Sequence, residues 1–251
     1  MTVVVDIGNA RVKWARVERG ELSSPGEALH LDDPETAFAS LARALPGEAG
    51  RIVATNVAGA DMGSRFVAMA DAHWGLHPEL IEPVAERLGV TCAYADPRRL
   101  GADRWVAVLA AHHLTPGAAC VIDAGTAVTL DAVDGDGQHL GGLIMVSPRF
   151  AAAALNSETS GIGQTVVSGE APLGLMLLGR TTDEAVAHGA MLALAAAVDR
   201  AVAVVAKALD AEPLVLVTGG DGQALLPWLE TRAQYRAHLV LEGLALIAAQ
   251  S

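Results

Sequence analysis

Lysine is almost missing from this chain. Only Lys13 and Lys207 occur among 251 residues, and the formal net charge is −12. A surface that grips nucleic acid needs a basic stripe, so this balance excludes one as the main business of the protein. Cysteine is equally scarce. Cys92 and Cys120 lie far apart and form no Cys-x-x-Cys pair, which leaves neither a disulfide framework nor a zinc site. Aromatic residues make up 4 % of the chain while hydrophobic residues make up 52 %, so the core must be built from Ala, Val and Leu. No Gly-x-x-x-x-Gly-Lys-Ser/Thr, no Gly-x-Gly-x-x-Gly after a strand, no His-Glu-x-x-His and no Gly-x-Ser-x-Gly is present. The standard nucleotide loops, the zinc hydrolase helix and the serine-hydrolase elbow are thereby set aside. No signal peptide is read at the start, because Asp6 interrupts any long apolar run. The longest apolar stretch, 185–209, carries His188, Asp199, Arg200 and Lys207 and reads as a buried or interfacial helix, not a membrane span. A cytoplasmic protein is the default expectation.

What the chain does have is a repeated turn. Val5-Asp-Ile-Gly-Asn-Ala-Arg-Val12 lines up with Ile122-Asp-Ala-Gly-Thr-Ala-Val-Thr129, with aspartate, glycine, alanine and a β-branched residue in register. Each copy follows an apolar β-rich run, Thr2–Val5 in one case and Cys120–Ile122 in the other, and each is followed by a second β-rich run. That is strand, tight turn, strand. A carboxylate beside a glycine turn can hold a cation while the backbone N–H groups face an anion. Two copies more than a hundred residues apart predict two similar halves, residues 1–115 and 116–251, each presenting a phosphate turn to a shared cleft. Chance similarity of two ordinary hairpins is the plainer alternative. Lys13, just past the first turn, is either a solvated strand lysine or a partner for the same anion.

Between the turns, elements alternate. Asp33-Pro34-Glu35 caps and opens a helix to about Leu45. A buried strand over 51–56, a helix over 61–74 and a short strand over 91–94 follow, a spacing that predicts a layered α/β fold. Asp103, in Leu100-Gly-Ala-Asp-Arg-Trp105, precedes a helical pattern over 106–114. From the residue alone capping is its commoner job, and a proton acceptor in a cleft is the alternative. Strands are expected over 140–146 and 213–218, and helices over 148–156, 185–209, 225–230 and 241–249. Residues 157–169 read as a surface loop, with a lid over bound substrate as the sharper alternative. Thr182 reads as a cap of the long helix. Gly219-Gly220-Asp221 forms a turn that a flat ring or a phosphate can approach closely.

Six motifs occur in a telling order: Asp6–Lys13, Gly101-Ala-Asp-Arg-Trp105, Asp123–Thr129, Gly141-Gly-Leu-Ile144, Gly179-Arg-Thr-Thr182 and Thr218-Gly-Gly-Asp221. In that order they resemble type III pantothenate kinases, also known as the Bvg accessory factor family. That family belongs to the acetate and sugar kinase, heat-shock ATPase and actin superfamily. The pairing of Gly101–Trp105 with Asp123–Thr129 about twenty residues later is the specific part, and the likeness spans nearly the whole chain. The resemblance implies two ribonuclease-H-like halves with mixed β-sheets flanked by helices. It implies ATP-dependent phosphorylation of pantothenate, the first step to coenzyme A, with Mg²⁺ or another divalent cation, K⁺ or NH₄⁺, and a homodimer with the pantothenate pocket near its interface.

By position, the resemblance makes Asp6, Ile7, Gly8, Asn9, Ala10, Arg11, Val12 and Lys13 the first ATP phosphate loop, with Asp6 organising Mg²⁺ through water. Thr126 contacts ATP from the second loop and Asp123 holds the monovalent cation. Tyr94, Gly101, Ala102, Asp103, Arg104 and Thr182 line the pantothenate site, with Asp103 as the base. Two departures stand out. Ala10 replaces the family's usual Thr or Ser, removing one hydroxyl donor worth about 0.5–1.5 kcal/mol. Val146-Ser-Pro-Arg149 replaces the usual x-Pro-Gly after Gly-Gly-x-Ile, which bears on the helix start there. Two other readings remain: a phosphotransferase or phosphohydrolase of the same superfamily with a different acceptor, and a non-catalytic regulatory protein that binds a nucleotide or metabolite.

Overall fold

The computed structural model describes residues 1–31, 33–47, 49–158, 171–172 and 174–250. The lid alternative for 157–169 therefore falls almost wholly outside the described residues. In chain order the elements are β1 (Thr2–Ile7), β2 (Arg11–Glu18), β3 (Glu21–Leu29), α1 (Pro34–Ala44), β4 (Arg51–Asn56), α2 (Ala60–Trp74) and β5 (Glu79–Leu80). Then come β6 (Glu86–Arg87), β7 (Val90–Thr91), α3 (Ala102–Leu114), β8 (Ala119–Ala124), β9 (Ala127–Val133), β10 (His139–Val146) and α4 (Pro148–Glu158). The last are α5 (Thr182–Leu209), β11 (Leu214–Thr218), α6 (Gly222–Leu225), β12 (Gln234–Tyr235) and α7 (Leu239–Ala249).

Two compact units result, 1–113 with 238–251, and 114–237. The sequence reading kept the final stretch with the second half. The structure gives α7 to the first unit instead, because its apolar length lies on β1, β2 and β4. A methyl group at Gly243 would sit 2.3 Å from the Val106 carbonyl oxygen, so glycine is what lets α7 close backbone to backbone on α3.

In the first unit the sheet runs β3-β2-β1-β4-β5. β1 is antiparallel to β2 and parallel to β4. Val3, Val5, Ile7, Val12, Trp14, Ile52 and Ala54 face α1 and α2, whose Phe38, Leu41 and Phe66 complete that core. Val4 and Val53, on the opposite face, are also fully buried. A central strand covered on both sides reads as a continuous apolar run, which is why Val3-Val-Val5 shows no alternation. α1 starts as expected, with Asp33 accepting from the Thr36 N–H at 3.0 Å and Pro34 as first helical residue. The Thr36 hydroxyl and N–H hold the Asp33 carboxyl below the usual carboxylate range.

The second unit repeats this plan. Its sheet runs β10-β9-β8-β11-β12. β8 is antiparallel to β9 and parallel to β11, as β1 is to β2 and β4. Cys120, Ile122, Val128, Leu130, Val215 and Val217 pack against Met191, Leu194, Val198 and Val202 of α5. By length and composition α5 is long and apolar enough to cross a membrane. Here one stripe of it fills the core of this unit, and Asp199 accepts the Glu230 and Thr231 N–H groups, each at 3.0 Å.

Three local expectations change. β3 has no counterpart in the sequence reading, since Ser23-Ser-Pro-Gly26 lacks alternation and carries a strand breaker; an edge strand tolerates both. The expected strand over 91–94 is the short ribbon β6–β7, and Tyr94 lies past its end. The expected helix over 225–230 is α6 followed by a 3₁₀ turn at Leu226–Trp228.

Candidate active site

The first turn spans three residues, Gly8–Ala10, between β1 and β2. Gly8 N–H closes it on the Arg11 carbonyl at 3.0 Å. Asp6 stands opposite Lys13 on β2 and opposite Thr55 on β4. All three point to the face away from α1 and α2, because side chains alternate and Ile7, Val12 and Ala54 occupy the other face. The Thr55 hydroxyl donates to Asp6 Oδ1 at 2.8 Å. Ile7 and Val12 are fully buried core residues, so the chemistry they offer is that of their backbone. Asn9 and Arg11 are exposed at the turn.

The second turn is one residue shorter, Gly125 and Thr126 only, with Gly125 N–H bonded to Ala127 O at 3.1 Å. Pairing shows where the gapless alignment of the two copies slips. Ile7 faces Val12 whereas Ala124 faces Val128, so past the turn Lys13 corresponds to Thr129, not to the residue after it. Asp123 stands between Thr129 on β9 and Thr218 on β11, the same post that Asp6 holds between Lys13 and Thr55. Its surroundings are rich in oxygen: one carboxylate and two hydroxyls. Thr126 is exposed at the turn.

The Gly219-Gly220-Asp221 turn lies against this second turn. Asp221 N–H donates to Ala124 O at 2.9 Å, and a methyl group at Gly219 would sit 2.4 Å from both Ala124 O and Asp123 Oδ1. With φ at +87°, Gly219 is glycine for conformation and for space. Arg149 Nη2 donates to Asp221 Oδ2 at 2.7 Å. The pair stands at an apolar cavity of about 50 Å³ lined by Ala124, Val128, Met191 and Leu194. The unusual Ser147-Pro-Arg149 segment does start a helix. Pro148 is its first residue, and Ser147 accepts from the Phe150 N–H through Oγ at 3.4 Å and from the Ala151 N–H through its carbonyl at 2.9 Å.

Asp103 lies in the first turn of α3, inside the helix and not at its cap. Its Oδ1 accepts the Arg104 N–H at 2.7 Å, in the region where a helix stabilises negative charge. Arg104 is 8 % exposed; its Nη1 donates to the Tyr94 hydroxyl at 3.3 Å, and its guanidinium carbon lies 6.0 Å from the Tyr94 ring centre. The structure thus joins Tyr94 to Arg104, with Asp103 next in chain. Gly101 O accepts the Trp105 N–H at 2.9 Å, and Ala102 is buried. In the second unit, Thr182 is the first residue of α5 and is exposed; the cap is Thr181, whose hydroxyl accepts from Glu184 N–H at 3.2 Å.

Sequence reasoning missed Thr55 and His30 and gave Thr218 no role beyond its place in the Thr218-Gly-Gly-Asp221 motif; all three touch or flank the turns. The signal for the two threonines was there: each stands at, or one residue before, the end of a short apolar strand. Among the described residues no group of three or more His, Cys, Asp or Glu side chains converges.

A sequence model of type III pantothenate kinases matches residues 2–204, which includes both turns and the Gly101–Trp105 segment. The chain belongs to the type III pantothenate kinase family. A type III pantothenate kinase from Nitrosococcus oceani is 34 % identical over 253 residues, covering 99 % of this chain and 94 % of that protein. A Baf family protein from Campylobacter jejuni has the same fold at 20 % identity, with a TM-score of 0.58 over 99 % of this chain and 98 % of the other. So does an inorganic polyphosphate/ATP-glucomannokinase from Arthrobacter, at 17 % identity and a TM-score of 0.50, over 100 % and 99 % of the two chains. The fold is the two-lobed, ribonuclease-H-like one of actin-like ATPases and sugar kinases, and the duplicated sheets are its signature in this chain.

Proposed function

We propose that this protein transfers the γ-phosphoryl group of ATP to the hydroxyl of pantothenate, giving 4'-phosphopantothenate, the first step of coenzyme A synthesis. The observation that carries the reading is the duplicated post: Asp6 and Asp123 stand one residue before the end of equivalent strands, each followed by a glycine turn, in a chain of this family.

Phosphoryl transfer asks for in-line positioning and for charge to meet the transferred group. The backbone of Gly8–Ala10 and the Lys13 ammonium bind ATP phosphates, and Thr126 binds ATP from the second turn. Asp103 takes the proton of the attacking hydroxyl, a role worth about 10²–10⁴-fold in rate. Arg104 and Tyr94, held to each other, orient pantothenate with Gly101, Ala102 and Thr182. A kinase of this superfamily works with a divalent cation on its nucleotide. Asp6 suits Mg²⁺, an ion that keeps several waters and needs one or two carboxylates besides substrate phosphates. When bound, it neutralises charge on the phosphates. Asp123 with Thr129 and Thr218 suits K⁺ or NH₄⁺. The working form is a homodimer and the site of action is the cytoplasm.

ADP release is measured with ATP, Mg²⁺ and K⁺, with and without pantothenate, on wild type and Asp103→Asn. The expected result is pantothenate-dependent turnover that the substitution lowers at least a hundredfold. Turnover that ignores pantothenate would remove the assigned acceptor.

A further inference from the structure

His30 immediately follows β3 and is 4 % exposed. It grips the first turn twice. Its backbone N–H donates to the Ala10 carbonyl at 3.1 Å, and its ring Nε2 lies 2.7 Å from the Gly8 carbonyl oxygen. A carbonyl only accepts, so Nε2 carries the hydrogen. Three carbonyls at the turn are then engaged: Gly8 O and Ala10 O by His30, and Arg11 O by Gly8 N–H. The N–H groups of Asn9 and Ala10 take no partner among the described residues. A peptide unit is planar, with its C=O and N–H pointing in opposite directions. Holding Gly8 O therefore holds the Asn9 N–H outward, on the far side of the turn. Such outward amides are what binds an anion in a glycine turn. Ala10 has no hydroxyl to offer, so this turn must bind through its amides.

We propose that His30 is a positioning residue for the nucleotide. Its imidazole locks the Gly8–Asn9 peptide so that the Asn9 N–H meets a phosphate oxygen of ATP. The inference rests on the reading of Asp6–Lys13 as an ATP phosphate turn.

The test compares His30→Ala, His30→Leu and His30→Gln with wild type. Gln can still donate an amide N–H to Gly8 O; Ala and Leu cannot. Calorimetric titration with ADP and Mg²⁺ and steady-state KM values for ATP and pantothenate are the readouts. Ala and Leu are expected to weaken ADP binding and raise the ATP KM about five- to tenfold, the effect of one lost hydrogen bond. The pantothenate KM stays within twofold, and Gln restores ADP and ATP values to within about twofold of wild type. Unchanged ATP KM and ADP affinity in Leu would overturn the proposal, as would a Gln variant as weak as Leu. If the Ala variant does not fold, the Leu and Gln pair decides alone. Wild type that binds ADP but shows no pantothenate-dependent turnover would remove the assigned reaction while the ADP titrations still judge His30. Wild type that binds no ADP would remove both.

Discussion

Thr55 hydrogen-bonds Asp6 across two parallel strands, hydroxyl to Oδ1 at 2.8 Å, and Thr55 is fully buried. The same parallel pairing sets Thr218 opposite Asp123 in the second unit. In each unit the threonine comes from the strand that follows the crossover, so the sheet topology itself brings a hydroxyl to the carboxylate. For Asp6 the bond fixes the carboxylate plane on which a hydrated divalent ion would depend. Thr55→Val keeps the shape and removes the donor. A hydrogen bond to a charged group is worth about 1.5–3 kcal/mol, so the unfolding free energy should fall by about that much. The Mg²⁺ concentration for half-maximal activity should rise several-fold. Denaturant melts and a Mg²⁺ titration check both. A stability loss with an unaltered Mg²⁺ titration would reduce Thr55 to a packing role.

Asp123 gives a separate prediction. Its cross-strand neighbours Thr129 and Thr218 offer hydroxyl oxygens, a hard donor set that suits a monovalent alkali cation or ammonium. Activity should be higher in potassium than in sodium-only buffer at equal ionic strength, and Asp123→Asn should abolish the difference. Equal wild-type rates in the two buffers would argue against a cation at this post.

The turns were legible because their chemistry is local. An apolar run, an aspartate and a glycine stand in consecutive positions, and repetition gave them weight. The resemblance to the family then supplied the reaction. What escaped depends on pairing at long range. Thr55 is 49 residues from Asp6, and Arg149 is 72 from Asp221. His30 reaches Gly8 only through β3, which Pro25 and Gly26 hid from any test of alternation. The return of α7 to the first unit leaves no mark in a sequence, since nothing local in an apolar run names the sheet it packs on. The gapless alignment failed one residue past the shorter turn, because register is set by hydrogen-bond pairing and two turns of unequal length can open with the same Asp-x-Gly.

A homodimer is predicted from unspent apolar surface in the second unit. α5 presents Leu192 at 44 % and Val204 at 51 % exposure, away from its buried stripe. α4 adds Phe150 at 54 %, and the edge strand β10 adds Ile144 at 69 % and Val146 at 63 %. Exposed apolar side chains on neighbouring elements are what an association surface is built from, and an edge strand invites cover. Light scattering at micromolar concentration should give twice the chain mass, and Leu192→Arg should shift the population toward monomer. A wild type that stays monomeric would remove the dimer from the working form.

Cys120 lies in β8 between the core side of the sheet and α5, fully buried. Desolvation pushes its thiol up to about 12 from an ordinary value of 9.0. The thiolate is the reactive species, so this residue should be inert in the folded protein. Cys92 is partly exposed and is the only other thiol. A thiol reagent at neutral pH should therefore modify one cysteine per chain in the native state, and the second only as the protein unfolds. Because the folded state holds the proton more tightly, the linkage has a definite sign. The thiol costs no stability below pH 9, and stability falls as pH rises from about 9 toward 12. Cys120→Ala removes that contribution while creating a small cavity, so its stability should decline less steeply than wild type over the same alkaline range. Rapid modification of both thiols in the native protein would mean that the β8–α5 core opens far more readily than its packing implies.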